Sequence, residues 1–153
     1  MSRSHTFAQF AEAIDMAFAR WDLAHLHMFT LADGTSIIPL ELWDGEAPEH
    51  SIDSTRTKLS RLGHGEQFAY VFDFGDDWAH LCTVAESRID PLETFGGLPA
   101  EPIPYFGWGD LPDQYGRRWN ADDGESSPPQ PPSRPLMDLP PLLPWWGPQE
   151  RSR

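Results

Sequence analysis

The residues of this chain best suited to chemistry are Asp73, Asp76, Asp77 and His80, set within eight positions of one another, together with His25 and His27. Carboxylate oxygens and imidazole nitrogens are the donors that a divalent metal takes, and an Asp–His pair can move a proton near neutral pH. Assembled in one pocket, these groups would suit a metal-dependent hydrolase or a nuclease-like enzyme. They also have a structural reading. An Asp73–His80 hydrogen bond across a hairpin would satisfy a partly buried pair, and Asp76 and Asp77 are ordinary turn residues that bond to their own backbone. The structural reading is preferred, so no residue receives a catalytic role, no cofactor is expected, and a divalent metal belongs to the alternative. Cys82, two positions from His80, reads as a small buried hydrophobe before it reads as a nucleophile. Asp73-Phe74-Gly75 spells the magnesium-binding tripeptide of protein kinases, but no Gly-rich loop, strand lysine or His-Arg-Asp segment accompanies it.

These groups must be held by the elements around them. Phe7, Phe10, Ala11, Ile14, Ala17, Phe18 and Trp21 recur at intervals of three, four and seven, which makes one stripe of an α-helix. Thr6 and Gln9 form a capping box at its start. His25 to Leu31 is a β-like run, Asp33-Gly34 accepts the positive φ of a tight turn, and Ile37-Ile38 returns. Pro39 then ends that strand or confines it to an edge. Residues 44–53 read as loop. Ser54 or Thr55 is placed to cap a short helix carrying Leu59 and Leu62 inward, with Gly63 and Gly65 at its exit.

A second hairpin is written more strongly. Phe68, Tyr70, Phe72 and Phe74 alternate with Ala69, Val71 and Asp73 before Gly75-Asp76 turns the chain into Trp78–Ala85. With Gly75 and Asp76 as a two-residue loop, Phe72 pairs with Ala79 and Val71 with His80. Phe68, Tyr70, Phe72, Leu81 and Thr83 then share one face, which takes the helix stripe, while Asp73, Trp78, His80 and Cys82 fall on the other.

Composition bounds what this assembly can be. The 153 residues suffice for one core, with 39% hydrophobic residues and seven Trp to fill it. Eleven Lys+Arg against 24 Asp+Glu give a net charge of −13, which repels phosphate backbones and anionic membranes, so direct nucleic-acid binding is disfavoured. A single Cys excludes an internal disulfide framework, and no export signal or long apolar run is present, so a cytoplasmic, non-membrane protein is expected. Nine of the 16 prolines fall between Pro128 and Pro148, which a packed core cannot accommodate. A folded domain over about 5–119 and a Pro-rich, largely disordered tail over 120–153 follow. Two places offer a surface to a protein partner: the aromatic, Gly-rich segment carrying Tyr105, Phe106, Trp108 and Tyr115, which reads first as a loop covering the core, and the tail, whose Trp145 and Trp146 dock either back on this domain or on a partner.

The string Tyr70-Val71-Phe72-Asp73-Phe74-Gly75-Asp76-Asp77-Trp78-Ala79-His80, preceded by an amphipathic helix and by His25-Leu26-His27-Met28-Phe29, resembles the plasmid pRiA4b ORF-three-like family, also labelled the insertion-element passenger TnpR-like family. The resemblance covers about residues 7–90. It implies a small α+β domain and association with mobile elements, and it implies no assigned activity. Members of that family typically begin with a strand before the helix, and many follow the hairpin with a Cys-containing segment; this sequence has the helix near Met1 and no such thiols, so no thiol-bound metal is implied. The sequence therefore reads as a single small α+β domain, its N-terminal helix packed on antiparallel hairpins. Its expected role is that of a non-catalytic binding or accessory module, with the Asp/His enzyme as the alternative.

Overall fold

The N-terminal helix begins where its cap is. The Thr6 hydroxyl accepts the Gln9 amide at 3.1 Å and the Gln9 side-chain oxygen accepts the Thr6 amide at 2.9 Å, which satisfies two of the donors a helix start leaves free. Helix α1 then runs Phe7–Ala17. In this computed structural model the described residues are 1–45, 47–104 and 113–115. They fall into two units, one formed by 1–13 and 24–103, the other by 14–23, 104 and 113–115.

In the first unit, β1 (His27–Thr30), β2 (Ser36–Ile38), β3 (Ile52–Asp53), β4 (Gln67–Phe72) and β5 (Trp78–Thr83) form one sheet in the order β3-β2-β1-β4-β5. All neighbours are antiparallel except β2 and β3, which are parallel. The expected face takes the helix. Phe7 meets Phe29 and Phe68 edge-on, with ring centroids 5.1 and 6.3 Å apart, and Phe10 stacks on Phe29 at 5.9 Å. Phe7, Phe29, Ile37, Ile38, Tyr70 and Phe72 are almost wholly buried. Each such side chain is worth roughly 1.5–3 kcal/mol relative to exposure, so this aromatic layer dominates the stability of the unit. The class is α+β, as the sequence implies.

Three expectations need correction. The β4–β5 register is one residue away from the expected one: Phe72 pairs with Trp78, Val71 with Ala79 and Tyr70 with His80. A one-residue slip turns over every side chain of a strand. Trp78, His80 and Cys82 therefore share the face of Phe72, Tyr70 and Phe68, while Leu81 and Thr83 point away from it. The cause is the loop. Asp73 leaves the strand with φ of +56° and Asp77 re-enters at +53°, so five residues rather than two make the turn. Next, residues 44–53 are not all loop. Ile37 and Ile38 pair with Ile52 and Asp53 of β3, and Pro39 ends β2, as one of the two expected outcomes has it. Finally, the segment around Leu59 is a single 3-10 turn, Leu59–Arg61, with no side-chain cap. Ser54, expected to cap it, is fully buried, and the Asp53 carboxylate receives the Thr55 amide. Leu59 and Leu62 do point inward, as expected. A short helix α2, Pro91–Phe95, follows β5, capped by Asp90 and closed by Gly96 at φ of +70°.

In the second unit the stripe expected to run to Trp21 stops at Ala17, and Phe18 and Trp21 are each 38% exposed. Ala19 takes a left-handed conformation, φ +53°, and the amides of Ala19 and Arg20 return to the carbonyls of Met16 and Asp15. This is the double bond of a Schellman ending, made here without glycine. Buried Arg20 faces buried Asp15, Nε to Oδ1 3.8 Å. The boundary expected near residue 120, and Tyr105, Phe106, Trp108, Trp145 and Trp146, lie outside the described residues.

Candidate functional site

The six candidate residues separate into three environments. At the mouth of the β4–β5 hairpin, Asp73 ends strand pairing and organises the turn. Its amide donates to the Leu26 carbonyl at 3.0 Å, and its carbonyl accepts the Asp77 amide at 2.7 Å. Its Oδ1 accepts the Gly75 amide at 3.0 Å and lies 3.5 Å from the Asp76 amide. A Cβ at Gly75 would stand 3.3 Å from the same oxygen, a tight contact that would press on the Asp73 carboxylate. The other oxygen, Oδ2, faces His25 Nδ1 at 3.3 Å. Asp73 therefore partners His25, where the sequence suggested His80. The His25 side chain is about one-third exposed (31%) against 10% for Asp73, so the imidazole is the accessible member of the pair.

His27 and His80 form the second environment. Both flank Tyr70, with centroids at 5.8 Å on either side, and the three rings lie on the face that carries Phe29 and Phe68. Burial lowers the His27 pKa to about 4, so the ring is neutral at physiological pH. Its Nε2 is buried and has no hydrogen-bond partner among the described residues. Cys82 lies on the same face opposite Phe68, and burial raises its thiol pKa to about 11. An unionised thiol is a poor nucleophile, in keeping with the hydrophobe reading.

Asp76 and Asp77 form the third environment, exposed at the tip of the loop. Among the described residues no group of three or more His, Cys, Asp or Glu side chains is arranged to hold a metal ion. What His25 and Asp73 offer chemically is a two-membered acid–base pair. Of the residues proposed as a recognition surface, Tyr115 is described. Its hydroxyl donates to Asp22 Oδ2 at 2.9 Å, and its ring meets Trp21 edge-on at 5.2 Å. Trp21 Nε1 donates to Asp113 Oδ1 at 3.1 Å, and Gln114 receives the amides of Trp21 and Asp22.

Sequence reasoning missed two surface features. Trp43 packs edge-on against Phe74 at 5.6 Å beside the Asp73 loop, a contact between segments that no local pattern announces. Towards β5 the sheet also has a more open face, which over β2 is closed by buried Ser36 and Ile38. Met28, Val71 and Ala79 form one row across it, Thr30, Ala69 and Leu81 a second, and Leu81 is 75% exposed. The alternation of the hairpin signalled such a face, but the assumed register put Leu81 on the buried one.

A capped helix laid on the aromatic face of a five-stranded sheet, with an aspartate-nucleated loop joining its last two strands, defines a small α+β domain of a specific kind. The chain belongs to the plasmid pRiA4b ORF-3-like protein family, whose model matches residues 1–97. Among solved structures it is similar to MM3350 from Methanosarcina mazei Go1, described as a protein of unknown function. The identity is 21% and the TM-score 0.43, over 59% of this chain and 54% of the other, so the match spans about half of that protein's length. No curated protein matches the sequence. No helix among the described residues is long and apolar enough to cross a membrane.

Proposed function

We propose that this protein is a non-catalytic binding or accessory module. The observation that carries the reading is the commitment of Asp73: one carboxylate oxygen receives loop amides and the other faces His25. A carboxylate that holds a turn has little capacity left for a metal or a substrate proton. Neutral, buried His27 adds a packing residue rather than a base. An exposed apolar sheet face, by contrast, is what a binding module offers. The aromatic segment with Tyr105, Phe106 and Trp108 and the Pro-rich tail supply further partner-binding chemistry in the sequence.

The alternative, a metal-dependent hydrolase, draws on the same His25–Asp73 pair. Isothermal titration of the full chain with zinc, manganese and magnesium separates the two. The binding-module reading expects no saturable heat. Saturable heat that disappears in both Asp73→Asn and His25→Ala would replace it with the enzyme.

A further inference from the structure

We propose that the open face of the sheet receives a basic amphipathic helix of a partner protein. The face is defined by cross-strand pairing: Met28–Val71–Ala79 and Thr30–Ala69–Leu81 lie opposite the layer that holds α1, with Gln67–Thr83 as a third pair at one end. Leu81, on the edge strand β5, is 75% exposed, and Ala79 and Thr83 on the same strand are exposed, while Met28, Thr30, Ala69 and Val71 are part-buried. An antiparallel sheet can leave one face to water, but that face is then normally polar. Here five of the six residues in the two complete strands' central pairs and their β1 neighbours are apolar, with Thr30 the exception. Ala69 and Ala79 bring only methyl groups to this face, beside the larger Met28, Val71 and Leu81. A helix laid on the sheet as a third layer would set its own larger residues against those alanines.

Charge selects the partner. Residues 62–87, which contain the whole hairpin, hold Glu66, Asp73, Asp76, Asp77 and Glu86 and no Lys or Arg, with Arg61 and Arg88 flanking the segment on either side. Glu66 and Glu86 stand at one end of the ribbon, and exposed Asp76 and Asp77 at the other. At the Glu66 end, Arg61 is held by Asp33, Nη2 to Oδ2 3.5 Å. An apolar strip with carboxylates at both ends fits a helix whose apolar stripe is flanked by Lys and Arg. A second copy of this chain would bring like charges together, and its net charge of −13 opposes that pairing.

The inference rests on the binding-module reading, and its test is independent of the metal titration. Two synthetic helical peptides share one Leu stripe, one flanked by Lys and the other by Glu, and their binding to the full chain is followed by fluorescence anisotropy. The Lys peptide binds, the Glu peptide does not, and added salt weakens the complex. Leu81→Thr, which keeps a strand-compatible residue, weakens binding about tenfold or more, the loss expected for one buried leucine. Ala79→Arg, which places a bulky cation on the face, does the same. Affinity unchanged in both variants, or no binding to the unmodified chain, overturns the proposal. So does a dimer in sedimentation velocity that Leu81→Thr dissolves, which would give the face to a second copy. Metal heat at Asp73 would instead remove the reading beneath it.

Discussion

His25 Nδ1 stands 3.3 Å from Asp73 Oδ2, while Asp73 Oδ1 accepts the amide of Gly75. One carboxylate thus joins the segment before β1 to the loop after β4. The two roles separate by substitution. Asp73→Asn keeps an acceptor and tolerates the left-handed backbone, so it costs under about 1 kcal/mol. Asp73→Ala removes the acceptor and leaves a Cβ-bearing residue at φ +56° with no local hydrogen bond, which costs about 2 kcal/mol. Urea unfolding of the two variants measures the difference. Equal losses would show that the His25 contact, rather than the turn, is what Asp73 supplies.

His27 makes stability depend on pH. Its folded pKa is lowered from 6.5 to about 4 by burial, so between these values the unfolded chain binds the extra proton. Stability from this group is complete above the unfolded pKa and falls as pH drops from about 6.5 towards 4, by about 3 kcal/mol in all. His5, whose pKa burial also lowers from 6.5, adds to this loss, whereas the carboxylates Asp33 and Asp53, whose pKa values hydrogen bonds to Thr35 and Thr55 hold below 3.8, act only at still lower pH. His27→Phe keeps a ring against Tyr70 and removes the proton site. Its unfolding free energy should fall by about 2 kcal/mol less than the parent's from pH 7 to 5, and the slope that stays belongs to His5. Parallel curves for the two proteins would mean that His27 is protonated in the folded state.

How far the sequence carried the reading depends on the range of the interactions. The Thr6–Gln9 cap, the Phe7/Phe10 stripe and the aromatic side of β4 are written in local spacing, and the rings meet as that spacing requires. The β4–β5 register was not legible, because it turns on Asp73 entering the left-handed region, where Asp-Phe-Gly-Asp-Asp competes with a two-residue Gly-Asp turn. Ile52–Asp53 escaped notice because two residues have no period, and their strand exists only through β2. The candidate site suffered in proportion. His25 and Asp73 are 48 positions apart, and only the β1–β4 pairing of His27 with Phe72 brings them together. His80, nearer in sequence, turned to Tyr70 as soon as the register moved.

Ala19 predicts a gain. A residue at φ +53° in a Schellman ending pays for its Cβ, and glycine does not. The unfolded-state entropy of glycine offsets part of this, which leaves Ala19→Gly about 0.5–1 kcal/mol more stable than the parent. A thermal melt reads this as a rise of a few degrees. A fall would show that the Ala19 methyl makes a packing contact worth more than the backbone strain.

The register itself can be tested through Cys82. On the face of Phe68, its thiol is partly buried and its pKa is raised from 9.0 to about 11. At pH 8 this lowers the thiolate fraction about a hundredfold relative to an unperturbed thiol, and thiolate is the species that attacks a disulfide reagent. The folded chain should therefore react with such a reagent about a hundred times more slowly than the urea-unfolded chain. Leu81 gives the complementary reading. Leu81→Ser, on the open face, should change stability by no more than about 0.5 kcal/mol, the usual range for a surface position. In the alternative register Leu81 would sit under α1 and Cys82 would face water. Fast labelling of the folded protein together with a loss of about 2 kcal/mol or more in Leu81→Ser would then be observed, since replacing a core leucine with a small residue leaves a cavity.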